Sequence, residues 1–393
     1  MPASIRPLLT ARAIRGFADG FVSVLLGLYL LNLGFSAVQI GAIVTGTLLG
    51  SAALTLYAGL RWHRHPARTV LLGSCVLMAI TGSGFAAITH FWPLLAVAVV
   101  GTLNPSGGDV SLFLPTEQAV LADLSPQPGR TQRFAYYNLS GGVGAAAGAL
   151  CSPLPEVIAK HLHHDVATFQ RGAFLVYTLA AFGAALAYRK LPHLTAHIRD
   201  ARPPLHKSRS IVVRLSMLFS LDSAGGGFVV QALLVVYLAN RFSFDAALIA
   251  TVLAITSFLS AFSQLVSARL AARFGLVRTM VFTHLPANGF LIAAGVAGNR
   301  WVAIGCLFAR STVSAMDIPA RQALVMAVVE PDERAAAASV TNVPRSLAAA
   351  STPLLAGYLL KHSTFGWPLI IGGVMKAVYD LLLLRESLDH DLK

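Results

Sequence analysis

Of the 17 Asp and Glu residues in this 393-residue chain, Asp19, Asp109, Asp222 and Asp317 stand out because they interrupt long apolar runs. A carboxylate in hydrocarbon costs about 2.5 to 3.5 kcal/mol on insertion scales, so it must face water or a partner. In a partly dry cavity such a group can take up and release a proton as its access to water changes. Asp109 follows Gly107 and Gly108 midway along its run, and Asp317 precedes Pro319 within two turns of Arg310. Arg310 and Arg321 are suited to attract an anionic solute. The alternative for each Asp is a satisfied interhelical hydrogen bond or ion pair. For Asp19, beside Arg12 and Arg15, that pair would sit at the membrane rim. Asp380 has Lys376 at i,i+4 and is read as locally paired.

Other charges fall near the ends of the apolar runs. Glu117, with Asp123, is expected to pair with Arg345 or with Arg64 and Arg68, latching an inner gate; Arg321 stands at the matching depth to Glu117 with the opposite charge. Tyr29, Tyr137, Asn138, Gln231, Tyr237 and Asn342 are the uncharged candidates for hydrogen bonds to a solute. His161, His163, His164 and Asp165 have metal-ligand chemistry, but a loop without further Cys or Glu reads as solvated, and no metal or other cofactor is expected.

The elements that must position these residues are membrane helices. The chain is 55% hydrophobic and only 12% charged, about half the charged share of a soluble domain. Apolar runs of about 20 residues recur along its length, each long enough to cross about 30 Å of hydrocarbon. The predicted spans are 14–33, 37–60, 69–90, 92–122, 133–159 and 170–188, then 211–239, 245–267, 279–298, 301–328, 336–360 and 366–384. Most of the 30 Lys and Arg fall at the N-terminus, in alternate loops and at the C-terminus. By the positive-inside rule both termini are cytoplasmic, in a multi-pass protein of the cell (inner) membrane. Basic residues scattered over short loops form no stripe for nucleic acid. No GxxxxGK[ST], HExxH or GxSxG sequence is present, so neither nucleotide-driven action nor an enzyme is expected.

The two halves repeat. At an offset of 204 residues, VSLFLPTEQAVLADLSPQPGRTQRFAYYN lies over SAMDIPARQALVMAVVEPDERAAAASVTN, matching Pro115 with Pro319, Gln118 with Gln322, Arg130 with Arg334 and Asn138 with Asn342. At an offset of 208, Tyr29 and Asn32 match Tyr237 and Asn240. The expected organisation is therefore an N-terminal six-helix bundle over 1–188, a basic cytoplasmic linker over 189–210 and a C-terminal six-helix bundle over 211–393. Parallel repeats of this kind are a transporter architecture, with the solute site near the membrane midplane. GGVGAAAG, at Gly141 to Gly148, reads as a small-residue face for close helix packing.

ARLAARFGLVRTMV, with Gly275, Arg269, Arg273 and Arg278, resembles the cytoplasmic loop signature of the major facilitator superfamily, Gly-x-x-x-Asp-Arg-x-Gly-Arg-Arg. GLRWHRHPARTV, with Gly59, Arg64 and Arg68, occupies the same place in the first half. The signature's acidic residue is missing from both copies, being Ala272 in one and His63 in the other. The resemblance implies an all-α integral membrane protein of twelve transmembrane helices in two pseudo-symmetric bundles. It also implies that the first, fourth, seventh and tenth helices line a cavity. Those four carry Asp19, Asp109, Asp222 and Asp317. The implied activity is secondary transport of a small solute by alternating access. The excess of membrane acid suits proton-coupled efflux, by exchange of a cationic or neutral solute for protons. Proton symport of a metabolite is the alternative, and a non-transporting receptor or scaffold on the same fold is another. The partners expected are a small-molecule substrate, protons and the lipid bilayer, the protein acting as a monomer.

Overall fold

The computed structural model describes residues 5–61, 65–105, 113–124, 130–191, 207–329 and 333–389. Asp109, Arg64 and the side chain of Asp123 lie outside the described residues. The first part of the chain forms α1 (Arg6–Asn32), α2 (Ala37–Arg61), α3 (Ala67–Ala87), α4 (Phe91–Val100), α5 (Phe113–Asp123), α6 (Arg130–Cys151), α7 (Leu154–His161), α8 (Val166–Ala173) and α9 (Leu175–Arg189). The second part forms α10 (Arg209–Gly227), α11 (Gln231–Phe242), α12 (Ala246–Phe274), α13 (Leu276–Val296), α14 (Arg300–Val313), α15 (Asp317–Val328), α16 (Arg334–Ser351), α17 (Pro353–His362) and α18 (Trp367–Asp389).

Eighteen helices among the described residues serve twelve expected spans because six spans are broken. Among the described residues, ten helical segments are long and apolar enough to cross a membrane. The other two expected spans are divided, one into α4 and α5 and one into α16 and α17. The breaks follow local chemistry. Pro153 and Pro353 cannot continue a helical hydrogen-bond ladder, so α7 and α17 begin beside them. Ends are fixed in the same local way. Ser36 and Gln39 form a capping box at the start of α2, with Ser36 N–H donating to Gln39 Oε1 (2.9 Å) and Gln39 N–H to Ser36 Oγ (3.4 Å). Asp165 accepts from the N–H and hydroxyl of Thr168, each at 2.8 Å, at the start of α8. Those hydrogen bonds hold its carboxyl below the usual carboxylate range. Gly275, in the signature-like loop, has φ +88°, left-handed backbone that a side chain rarely adopts, and it turns the chain from α12 into α13.

The described chain gathers into two compact units. One holds the residues up to Leu191 together with Val230–Phe258, and the other holds 207–229 and 259–389. Compactness thus divides the seventh span at the break between α10 and α11 and passes through α12, whereas the sequence repeat places all of 211–393 in one half.

In the first unit α1 packs along α6, α9 and α11, and α3 along α9. The α1–α6 approach is set by the small-residue face. A Cβ on Gly16 would meet the backbone of Gly141, one on Gly20 that of Ala145, and one on Gly148 the backbone of Phe17 and Phe21. In the second unit α10 packs on α16 and α18, and α13 on α14, α15 and α18, around Phe219, Met280, Leu324 and Tyr379. Gly225 and Gly372 bring α10 and α18 into similarly close contact. Large apolar side chains point outward, including Trp92, Leu179, Met217 and Phe282, as hydrocarbon surroundings require.

Replacing Gly148 with Leu forces α1 and α6 apart, at an overpacking cost of about 1 to 3 kcal/mol or more. Detergent-solubilised protein should then melt at lower temperature and lose its monodisperse size-exclusion peak. Gly73→Ala, whose Cβ would meet nothing within 4 Å, should behave as the parent in the same assay.

Candidate functional site

Each unit buries a cluster of charge where its helices cross. In the first, Arg15 of α1 and Glu117 of α5 form an ion pair, Nη2 to Oε2 at 2.5 Å, with both side chains almost fully buried. Tyr137 of α6 donates its hydroxyl to Glu117 Oε2 (2.6 Å), and Tyr188 of α9 donates to Oε1 (2.5 Å). The Arg15 guanidinium lies 4.0 Å from the centre of the Phe113 ring, which stacks on Tyr188. Four expected spans therefore meet on one carboxylate, and each of its oxygens accepts a hydrogen bond. A buried pair of this kind survives desolvation only when its remaining hydrogen-bonding capacity is filled. Asp19, half-buried one turn along α1 from Arg15, feels the charges of Arg12 and Arg15.

The second cluster is larger. Asp222 of α10 accepts from Lys376 Nζ of α18 at Oδ1 (2.7 Å) and from Arg321 Nη1 of α15 at Oδ2 (3.1 Å). Arg321 also pairs with Asp317, one turn away on α15, at 3.3 Å. His284 of α13 stands between two carboxylates. Its Nδ1 is 3.0 Å from Asp380 Oδ1 and its Nε2 is 3.8 Å from Asp222 Oδ1. Asn288, one turn along α13, donates to Asp380 Oδ2 at 2.8 Å. With a carboxylate against Nδ1, that nitrogen carries the proton in the neutral ring, and Nε2 faces Asp222. Tyr379 closes the cluster, its ring edge-on to His284 and to Phe219.

One cation stands apart. Arg310 on α14 is half-buried and feels the charges of Asp222 and Asp317. Among the described residues its side chain has no ion-pair or hydrogen-bond partner, and its Nε is buried. The acids near it are committed to Arg321 and Lys376.

Several sequence expectations take a different form. Glu117 spends both oxygens on Arg15, Tyr137 and Tyr188 of its own unit, so the expected pairing with Arg345 or Arg68 is replaced. Arg345 instead donates to Ser223 Oγ (3.2 Å) and Asn342 Oδ1 (3.3 Å), and Arg68 is half-buried on α3. Lys376 turns to Asp222 and not to Asp380, because packing of α18 on α10 offers a closer carboxylate than its own helix does. Of the solute candidates, Tyr137 belongs to the Glu117 cluster. Tyr29 and Tyr237 are buried in packing, against Phe174 and Phe242 respectively. Gln231 Nε2 donates to Ser257 at 3.5 Å, Asn138 is half-buried on α6, and Asn342 is exposed. Sequence reasoning missed Arg15, Tyr188, His284, Asn288, Lys376 and Asp380 as site residues. The usable signal was that each polar group interrupts an apolar run.

The two clusters are related by inversion of charge. The first expected span carries the base and the fourth the acid, Arg15 with Glu117. The seventh carries the acid and the tenth the base, Asp222 with Arg321. The family model for the Major Facilitator Superfamily matches residues 8–221 and again 215–391. The chain belongs to that superfamily. This member is also similar to the uncharacterized membrane protein YJR124C of Saccharomyces cerevisiae, at 26% identity over 430 residues covering 99% of this chain and 95% of the relative. Among solved structures it resembles a D-xylose-proton symporter, with TM-score 0.76, 14% identity and 97% of each chain covered. It also resembles a bacterial homolog of the human lysosomal transporter Spinster in an inward-facing conformation, with TM-score 0.74, 13% identity, and 98% of this chain and 97% of the other covered. At these identities the structures establish the fold shared by this superfamily member.

Glu117→Ala should leave Arg15 as an uncompensated buried charge and cost about 3 to 5 kcal/mol, seen as a large fall in melting temperature. Tyr188→Phe should cost about 1.5 to 3 kcal/mol, the worth of a hydrogen bond to a charged group. If both variants melt with the parent, the cluster does not hold the helices together.

Proposed function

We propose that the protein is a proton-coupled secondary transporter that carries a small solute bearing an anionic group together with a proton. The observation that carries this reading is Arg310, a membrane cation without a protein partner among the described residues, next to a cluster in which His284 bridges Asp222 and Asp380. An unpaired guanidinium in a span is costly, and a solute carboxylate or phosphate is the partner that removes the cost.

Charge counting supplies the coupling. Asp222, Asp317 and Asp380 are opposed by Arg321, Lys376 and Arg310. With His284 neutral these groups balance. An anion on Arg310 tips them negative, and a proton on His284 Nε2 restores the balance. Each ligand therefore favours the other, and the linkage is reciprocal. Protonated His284 also competes with Lys376 and Arg321 for Asp222, so proton binding and the α10–α15–α18 contacts are linked. Efflux by exchange was expected from an excess of membrane acid. Asp222, Asp317 and Asp380 each have a basic or imidazole partner, which favours symport over exchange. The reading places both termini on the cytoplasmic side of the cell membrane and the working form as a monomer.

The test is proteoliposomes enclosing a pH-sensitive dye, presented with pooled anionic, neutral and cationic solutes. The anionic pool should drive protons inward, and both His284→Gln and Arg310→Gln should abolish that signal. Affinity for the active anion should fall as pH rises, by about 5- to 150-fold across the titration. A proton signal confined to cationic solutes would restore the exchange reading. Anion uptake that persists at full rate in His284→Gln would remove His284 from the coupling.

A further inference from the structure

The start of α1 and the end of α9 enclose a groove of about 330 Å³ in the first unit, lined by Arg6, Pro7, Gly183, Leu186 and Lys190 among others. Among the described residues its lining holds two cations and no acid. Neither Arg6 nor Lys190 has a side-chain partner among the described residues. The apolar part of the groove continues outward. Leu175, Leu179, Phe182 and Leu186 are all exposed on α9, spaced at three or four residues and so forming one stripe along the helix that ends at Lys190. Gly183 leaves a notch beside the stripe, where a Cβ would only touch Ile14 at 3.5 Å.

We infer that this groove binds an anionic phospholipid. The phosphate lies between Arg6 and Lys190 and one acyl chain runs along the α9 stripe past Gly183. A dication at the head of an apolar stripe is complementary to a headgroup followed by its chain, and basic pockets between helices at the membrane edge take anionic headgroups. Free phosphate has no use for the stripe, and a zwitterionic headgroup leaves the net charge of the groove uncompensated. The lipid steadies the first turns of α1, the helix that carries Arg15.

The test is native mass spectrometry of the full chain in detergent, titrated with phosphatidylglycerol, phosphatidylcholine or inorganic phosphate. The parent should retain phosphatidylglycerol and not phosphatidylcholine. Arg6→Gln with Lys190→Gln should weaken that retention by roughly thirtyfold, from two basic contacts at the membrane surface. Gly183→Leu, which fills the notch and leaves both charges, should also weaken it. Equal retention of the two lipids, or phosphatidylglycerol retention unchanged in the double variant, overturns the proposal. So does displacement of the lipid by inorganic phosphate alone, which would make the groove an anion site without a place for the chain.

Discussion

A charge inside hydrocarbon must be answered by another charge, and in each unit of this protein the first helix of the cluster is answered from other helices. Arg15 on α1 is answered from α5, and Asp222 on α10 from α15 and α18. The ion pairs thereby fix which helices cross and at what depth. Tyrosine hydroxyls in one unit, and histidine and asparagine in the other, complete the hydrogen bonding that makes burial tolerable. Inverting the sign between the two units leaves the geometric task unchanged while changing the chemistry. Among the described residues, only the unit with the acid on its first helix has gathered an imidazole into its cluster.

Small residues make those crossings possible. In a bilayer no hydrophobic force drives helices together, so close backbone approach and interhelical hydrogen bonds take over. Gly16, Gly20 and Gly148 on α1 and α6, and Gly225 with Gly372 on α10 and α18, leave no room for a Cβ. Their absence of side chain brings the charged residues of neighbouring helices within hydrogen-bonding distance. The charge clusters and the glycine contacts are therefore one design.

Much of the fold was legible in the sequence because hydropathy reports directly on a uniform solvent. Spans, loops and the repeat could be read from it, as could the superfamily. The division of the seventh span into α10 and α11 was not, since Gly227 and Phe228 carry no breaker as strong as Pro153. The site was less legible. Asp222, Asp317, Glu117, Arg310 and Arg321 were visible as polar interruptions, but their partners were not. Lys376 and Asp380 stand at helical spacing, which suggests a local pair, and only the packing of α18 on α10 and α13 separates them. Arg15 stood beside Arg12 as a partner for Asp19 at the membrane rim, not as the partner of Glu117. Pairing across helices is a property of tertiary contact, and one sequence does not encode it in spacing.

The separation of Arg15 from Glu117, 102 residues along the chain, also sets a schedule for biogenesis. A ribosome adding about 5 to 20 residues per second takes roughly 5 to 20 s to make that stretch. Throughout that interval the first helix is in the membrane with a guanidinium whose counter-charge has not been synthesised. Its long side chain can reach back to the aqueous interface, which holds the helix shallow. Completion of the fourth span then draws Arg15 inward. The final depth of the first helix is thus decided by a residue made long after it, and the helix must be kept from lipid or from wrong partners until then.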